Sequence, residues 1–395
     1  MEIAIISQEF PPFFFGGVGT FCYNLAVNLA KKGINTTVLT GRSKKIVTER
    51  VNNCLEIVRL PLLDFPPRPL WFQLRNLKLV SKLLHKYDVI HIADPISSAA
   101  FAYVSKKLKK PVVTNVHSVP PIYTLKCLFN VPLNDLSIGD VLFETLEYPL
   151  RMSTIKFSLI NSDHVVFGGL YALNKMKAFL NFDIEKASVI YNGISFDQIE
   201  NDIASESAGS EKVPTILFVG RLFYFKGITH FIKALAVLKR SCPNFKAQVL
   251  GEGPLQGKMK KATLDLGLKD FVRFDGFIND RVALMKEIRN ADVVAVPSLH
   301  EVGPSISLLE AMAQKKPVVA FDLPFSRELI SNMENGVLAN PNDIDDLADK
   351  LCLLCNDAHL RKKLGWNAYR YVKEKHNWST LIDDYCKIYE MEIKK

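Results

Sequence analysis

NDIASESAGSEKVPTILFVGRL, residues 201–222, is the stretch that decides the fold. Its first twelve residues are small, polar and acidic, without apolar periodicity, which is the composition of a linker. The remainder is a short β-branched and aromatic run that ends in glycine, the pattern of a buried strand. A strand pattern that restarts after a linker divides the chain into two halves. On either side the same alternation recurs. Upstream, EIAIIS, NTTVLT, LEIVRL, DVIHIA, PVVTNVH, HVVFGG and ASVIYNG are separated by helical patterns near Thr20–Lys32, Leu70–Tyr87 and Ile96–Lys107, and by a long, mostly helical excursion over Val119–Leu159. Downstream, PTILFVGRL, FKAQVLGEG, FVRFDGF, ADVVAVPS and KPVVAFD follow with helical segments between them, one starting at Gly227. Strands alternating with helices argue for parallel βαβ units, so the expected class is α/β, with two Rossmann-like doubly wound parallel-sheet domains. Open sheets of this kind bind ligands beyond the carboxyl ends of their strands. Two such sheets facing each other would form a cleft.

The expected division is residues 1–200, a linker at 201–212, a second domain at 213–375 and a C-terminal helix at 376–395. In that helix Trp378, Leu381, Ile382, Tyr385, Ile388 and Tyr389 recur at the spacing of one buried face. A length of 395 residues agrees with two cores rather than one. The start, MEIAIISQEFPP, has an acid at position 2 and no basic leader, and reads as a first strand rather than a signal peptide. No apolar run approaches the ~20 residues needed to span a bilayer. These features point to a cytoplasmic protein. The seven cysteines, at 22, 54, 127, 242, 352, 355 and 386, are scattered and odd in number, as expected of reduced thiols. Cys352 and Cys355 form one C-x-x-C at helical spacing among leucines; a zinc site would want a second pair, so two core-facing thiols are expected. The net charge is +9, and residues 1–200 carry 22 Lys and Arg against 16 Asp and Glu. A basic bias suits anionic substrates or an acidic membrane surface. Without an aromatic-interleaved signature, nucleic acid is not expected as a partner.

Chemistry-bearing residues gather at the strand ends. After the first strand, Gly16, Gly17 and Gly19 in PPFFFGGVGTF allow close backbone approach, but the spacing is not the G-x-G-x-x-G of dinucleotide-cofactor sites. In VGRLFYFKG, Arg221 and Lys226 flank a turn beside Gly220 and Gly227. Two cations at a strand mouth can clamp a diphosphate, where solvated surface cations would be the bland alternative. Asn192-Gly193, Gly251-Glu252-Gly253 and Asp275-Gly276 close three further strands, and His117 stands at a strand tip. His91, inside a strand, reads as a core histidine. PSLHEVGPSISLLEAM, residues 297–312, offers Glu301, a Gly-Pro turn and two serines before a helix that carries Glu310. Free amides and a helix dipole favour anions, and carboxylates accept from sugar hydroxyls.

The ordered set PP…GGVG, VVTNVH, VIYNGI, FVGRL…KG, VLGEGP, VRFDGF and SLHE…LLEAM resembles family 4 of the retaining glycosyltransferases, with the GT-B fold, over about residues 2–380. The resemblance implies an interdomain cleft and a C-terminal helix that crosses back to the first domain. It also implies a nucleotide-diphosphate sugar as donor and a glycan or lipid-linked acceptor served by the first domain. Gly17, with Gly16 beside it, would back the donor phosphates. Arg221 and Lys226 would hold the diphosphate, Glu310 would take the ribose hydroxyls, Glu301 and neighbouring loop amides would face the transferred sugar, His117 would reach that sugar from the first domain, and Phe277 would lie near the nucleobase. Asn192, Gly220, Gly251, Gly253, Gly303, Ser305, Ile306 and Ser307 complete the expected substrate-binding set. The family separates its two glutamates by seven residues, whereas eight lie between Glu301 and Glu310. Val302 takes the strict position, and the extra residue falls around Gly303–Ser305.

In such enzymes the leaving diphosphate is stabilised electrostatically, so neither a metal nor a cofactor is expected, and no D-x-D-like signature stands at a strand end. A sugar-nucleotide epimerase or hydrolase of the same fold, and a non-catalytic nucleotide-sugar binder, are the alternatives. Between Asp64 and Asp88 there is no acid, while Arg75, Lys78, Lys82 and Lys86 recur at helical spacing beside Leu70, Trp71 and Phe72. Such a helix can lie on an anionic membrane; the plainer reading packs it on the sheet with a solvated basic face. KMKAFLNF, residues 175–182, could add to membrane contact.

Overall fold

A computed structural model describes residues 1–12, 17–63, 68–117, 148–180, 186–196, 199, 213–301, 303 and 305–395. The expected linker at 201–212 lies outside these, as do Gly16, Val302 and residues 119–147 of the long excursion.

The chain forms two compact units. Among the described residues, the first holds those from Met1 to His117, from Tyr148 to Gly193 and from Trp378 to Lys395; the second holds those from Ile194 to Asn377. In the first, strands β1 (Glu2–Ser7), β2 (Asn35–Ser43), β3 (Val47–Asn52), β4 (Leu55–Pro61), β5 (Val89–Ile92), β6 (Val112–Val116), β7 (His164–Phe167) and β8 (Ala187–Val189) build one sheet, ordered β3-β4-β2-β1-β5-β6-β7-β8. Every pairing is parallel except β3 with β4. The central strands are buried on both faces, which is why they read as continuous apolar runs rather than alternating ones. β3 was not foreseen. All six of its side chains are exposed, its two valines Val47 and Val51 included, so it lacks the apolar pattern of a buried strand and forms through its ladder to β4.

Helices α1 (Gly17–Lys31), α2 (Arg68–Leu84), α3 (Pro95–Lys107), α4 (Tyr148–Ile160) and α5 (Leu170–Leu180) connect these strands. α3 starts on Asp94, whose side chain accepts from the amide of Ile96 and leaves Pro95 in the first turn, where its missing N–H costs nothing. The apolar stripe of α2 is spent on the core: Phe72, Val80 and Leu84 are fully buried with Phe101 and Ala102 of α3. It therefore packs as a sheet-covering helix and turns Arg75, Lys78 and Lys82 outward.

In the second unit, β9 (Thr215–Val219), β10 (Lys246–Leu250), β11 (Val272–Gly276), β12 (Val293–Val296), β13 (Val318–Phe321) and β14 (Val337–Ala339) form a fully parallel sheet ordered β11-β10-β9-β12-β13-β14. Helices α6 (Ile228–Ser241), α7 (Gln256–Asp265), α8 (Arg281–Asn290), α9 (Ile306–Ala313), α10 (Pro324–Arg327), α11 (Ile344–Asn356) and α12 (Ala358–Lys375) cover both of its faces, with one apolar core on each side. The three-residue β14 was also missed by the sequence-based reading.

The last helix, α13 (Trp378–Lys394), belongs to the first unit. It buries Trp378, Ile382, Tyr385 and Tyr389 against Ile3, Phe21, Leu25 and Ala26. Cys355 is buried in the second core and Cys352 packs beside it. Among the described residues no group of three or more His, Cys, Asp or Glu is arranged to hold a metal ion, and no helix is long and apolar enough to cross a membrane.

Candidate active site

The second unit gathers most of the expected residues at the carboxyl ends of β9, β10 and β12. β9 ends at Val219; Gly220 and Arg221 follow, the latter exposed, with its guanidinium carbon 5.8 Å from the centre of the Phe223 ring. That cation–π contact gives a long side chain a preferred direction. One 3₁₀ turn, Tyr224–Lys226, then leads to Gly227 at φ 74°. A Cβ on Gly227 would stand 1.8 Å from the carbonyl oxygen of Pro297, so only glycine lets the turn lie against the end of β12. The Leu299 amide donates to the Phe225 carbonyl at 2.8 Å and locks the two segments together.

This contact brings Lys226 to Glu301: the ammonium lies 2.5 Å from Glu301 Oε1, and the buried Ser298 hydroxyl donates to the same oxygen at 2.8 Å. Ser298 went unremarked in the sequence-based reading because a serine at a strand end looks like any other turn residue. His300 packs its ring near Phe225, and burial holds it below the usual histidine range against the opposing pull of Glu301. Lys226 is about one-third exposed. An ammonium has three N–H donors, and Glu301 Oε1 occupies one direction among them.

Gly251 and Gly253 hold this corner together. The Gly251 amide donates to Gly276, the Gly220 amide to Leu250, and the Leu222 amide to Glu252. A Cβ on Gly251 would meet the Gly220 carbonyl oxygen at 1.9 Å, and one on Gly253 the Leu222 carbonyl oxygen at 2.5 Å. Their glycine identity is thus explained by loop packing. Phe277 follows β11 directly and is largely exposed.

α9 opens at Ser305, whose side chain makes no capping hydrogen bond, with Ser305, Ile306 and Ser307 half-buried and Gly303 just before them. The first amides of the helix therefore lack that side-chain partner. One turn on, Glu310 is only 4 % exposed and takes a 2.7 Å hydrogen bond on Oε1 from Arg281 Nη1. Burial raises its carboxyl above the usual range, and the Arg281 charge opposes that shift. Arg281, at the first turn of α8 behind the Asp280 cap, was not foreseen: nothing in one sequence links it to a carboxylate 29 residues away.

In the first unit, His117 stands at the end of β6 with its ring 4.3 Å, edge-on, from Phe21 of α1. Its Nε2 is enclosed and finds no hydrogen-bond partner among the described residues, and burial pushes the ring down to about 4, so it is neutral at pH 7. His91 is fully buried, as expected of a core residue; Nδ1 lies 2.8 Å from the Tyr389 hydroxyl, and burial, then His117, pushes it down to about 3. Asn115, two residues before His117, donates to the Tyr385 hydroxyl at 3.0 Å. Gly17 is the exposed first residue of α1, and Asn192 is half-buried after β8. Gly193 is explained by packing: a Cβ there would meet Leu381 at 2.9 Å and Trp378 at 3.0 Å.

Two units, each built on a sheet that is parallel but for the β3 edge of the first, with helices packed on it and the last helix returned to the first, define the two-domain GT-B architecture. The Glycosyltransferase Family 4 model matches residues 15–198 and the Glycosyl transferases group 1 model residues 200–371. The chain is 28 % identical over 407 residues to an uncharacterised glycosyltransferase of Methanocaldococcus jannaschii, covering 100 % of this chain and 99 % of the relative. It is 25 % identical over 309 residues to the phosphatidyl-myo-inositol mannosyltransferase of Mycobacterium leprae, covering 77 % of this chain and 73 % of that one. The solved structure of Anabaena HepE in complex with UDP-glucose superposes with a TM-score of 0.72 at 18 % identity, over 99 % of this chain and 100 % of the other. The chain belongs to the family 4 type of glycosyltransferase and is a transferase enzyme.

Proposed function

We propose that the protein transfers a sugar from a nucleotide-diphosphate sugar to a hydroxyl of a glycan or lipid-linked acceptor, with retention at the anomeric carbon and without a metal ion. The observation that carries this reading is the convergence of Arg221, Lys226, Glu301 and Glu310 on neighbouring strand ends and the α9 entrance of the second unit. We assign the donor to that unit. Arg221 and Lys226 meet the diphosphate, Lys226 sharing its ammonium with Glu301, and the first amides of α9 around Ile306 and Ser307 add partial positive charge. Glu310 uses the oxygen that Arg281 leaves open for the ribose hydroxyls, Phe277 offers its exposed ring to the base, and Glu301 orients Lys226 while facing the sugar. The bond from the anomeric carbon to the leaving phosphate oxygen breaks with oxocarbenium character. The acceptor oxygen bonds on the same face, and its proton passes to the departing phosphate. Side-chain cations carry the stabilisation of the leaving group in this scheme.

A nucleotide-sugar donor also fits HepE having been solved with UDP-glucose, and a lipid-linked acceptor fits the named activity of the Mycobacterium leprae relative. The six free thiols among the described residues suit a reducing cytoplasm, and the basic excess suits the adjoining anionic membrane face. Thermal shift against UDP-, GDP- and ADP-sugars identifies the donor by the one that raises Tm. Turnover of that donor with acceptor-bearing lipid extracts should survive EDTA and fall at least a hundredfold in Arg221→Ala. Undiminished Arg221→Ala turnover, or activity lost to EDTA and restored by a divalent cation, would refute the scheme.

A further inference from the structure

The second unit has a cavity at the end of its sheet opposite to the donor residues. About 690 Å³ in volume, it opens between the amino ends of β10 and β11 and the carboxyl end of α8. Small-molecule sites typically measure about 300–1,000 Å³. The strand register explains why polar side chains meet there. Gln248 of β10 stands beside Arg273 of β11, and the two-residue period of a strand turns Lys246 to the same face as Gln248. α8 packs on that face through Met285 and Ile288, which share a core with Leu250 and Val294, and it stops at Asn290 on the cavity wall.

The two walls differ in chemistry. On the strand side stand Lys246, Lys269 and Arg273. Lys269 is exposed and makes no hydrogen bond or ion pair among the described residues. Lys246 spends one N–H on the Asp270 carbonyl at 2.7 Å, and Arg273 spends its Nε on Asp275 Oδ2 at 2.8 Å. On the helix side, Glu287 accepts on Oε2 from Gln248 Nε2 at 2.8 Å, and the last carbonyls of α8 add partial negative charge. The buried Gln248 gives its second Nε2 hydrogen to Asp275 Oδ2 at 2.7 Å, so its carbonyl is the group it has left to offer. The floor is thus fixed by the protein itself, with N–H donors on one wall and oxygen acceptors on the other. The lining carries three cations against two acids, Glu287 and Asp270.

We propose that this cavity binds a phosphorylated monosaccharide, with its phosphate on Lys246, Lys269 and Arg273 and its hydroxyls on Glu287 and Gln248. A free sugar would leave the cations unused, and inorganic phosphate would leave the acceptors unused. The proposal goes beyond the donor reading and does not rest on it, because the cavity lies at the amino ends of strands whose carboxyl ends lead to Gly251 and Phe277. α8 connects the two ends: ten residues make it about 15 Å long, with Arg281 on Glu310 in its first turn and Glu287 on the cavity in its last. A sugar phosphate held at Glu287 therefore touches the same rigid element that carries the partner of Glu310.

The test is calorimetric titration of the full chain with glucose 6-phosphate, glucose and inorganic phosphate. Glucose 6-phosphate is expected to bind at least tenfold more tightly than either of the others. Lys269→Glu reverses a charge that pairs with nothing among the described residues, and should weaken that binding at least tenfold. Asn290→Trp places an indole on the cavity wall and should weaken it as much by filling the space. Both positions are exposed, and circular dichroism verifies that each variant is folded. Arg221→Ala should leave the affinity within twofold. Absence of glucose 6-phosphate binding, equal binding of inorganic phosphate, or binding that survives both cavity variants would overturn the proposal. So would binding lost in Arg221→Ala, which would put the sugar phosphate on the donor residues. Thermal shift by nucleotide sugars is expected to be unchanged in Lys269→Glu and Asn290→Trp, so a failure of this site and a failure of the donor assignment give different results.

Discussion

Burial lifts the Glu310 carboxyl while a single guanidinium, Arg281, works to keep it ionised, so the two residues have to be tested as a pair. The native pKa lies above the unfolded one, so the native state binds this proton more tightly, and stability falls as pH rises through the raised value. Wherever the carboxyl is ionised it therefore costs stability. Glu310→Gln removes this titration: Tm is expected to lose its fall with rising pH and to exceed that of wild type by about 2–4 °C at the alkaline end, for ~1 kcal/mol regained. The same change weakens donor binding by about ten- to a hundredfold, the worth of a charged acceptor. Calorimetry and titration of the donor read the two effects separately, and a fall in Tm would refute the first. Arg281→Ala removes the opposing charge and lifts the carboxyl further. The acid limb of the donor-binding profile should then begin at a higher pH than in wild type. An unmoved limb would mean that Arg281 does not act through Glu310. At this scale the sequence exposed residue types at strand ends, so Arg221, Lys226, Glu301 and Glu310 could be picked out. It did not expose the pairing: Arg281 and Ser298 act through contacts set by the fold, and neither belongs to a motif that a single chain reveals.

Among the elements, the 3₁₀ turn between β9 and α6 depends on one residue. Gly227 combines φ 74° with a backbone oxygen where its Cβ would be, whereas Gly33, at φ 76°, has open space around it. Gly33→Ala is expected to cost about 1–2 kcal/mol, the strain of the left-handed conformation alone. Gly227→Ala should cost clearly more and should also reduce donor affinity, because the turn it displaces carries Lys226. Equal denaturation midpoints for the two variants would show that the Pro297 contact relaxes freely. Strand legibility followed burial. β1, β5, β6, β12 and β13, enclosed on both faces, announce themselves as β-branched runs. β3, wholly exposed, and β14, three residues long, carry too little apolar pattern to separate from loop. α2 shows the converse limit: its periodicity was plain, but whether its stripe met sheet or lipid could be decided only by seeing Phe72, Val80 and Leu84 inside the core.

Across the whole molecule, the first unit is assembled from both ends of the chain. Trp378, Ile382, Tyr385 and Tyr389 fill the face of its sheet lined by Ile3, Phe21, Leu25 and Ala26, and the Tyr385 and Tyr389 hydroxyls meet Asn115 and His91 beneath His117. Ending the chain after Asn377 should therefore destabilise the first unit while the second unit keeps its own cores. Limited proteolysis is expected to degrade the first unit and spare a fragment of about 194–377; protection of both would show that α13 is dispensable. The same arrangement sets an order of events during synthesis. A growing chain emerges amino end first, and its leading sheet must wait, with one apolar face covered only in part by α1, through the translation of nearly two hundred further residues. The second unit can close while that face is still incomplete. The unit that finishes last is the one that started first, and the interval is a window in which a chaperone, rather than the chain itself, would have to shield Phe21 and its neighbours.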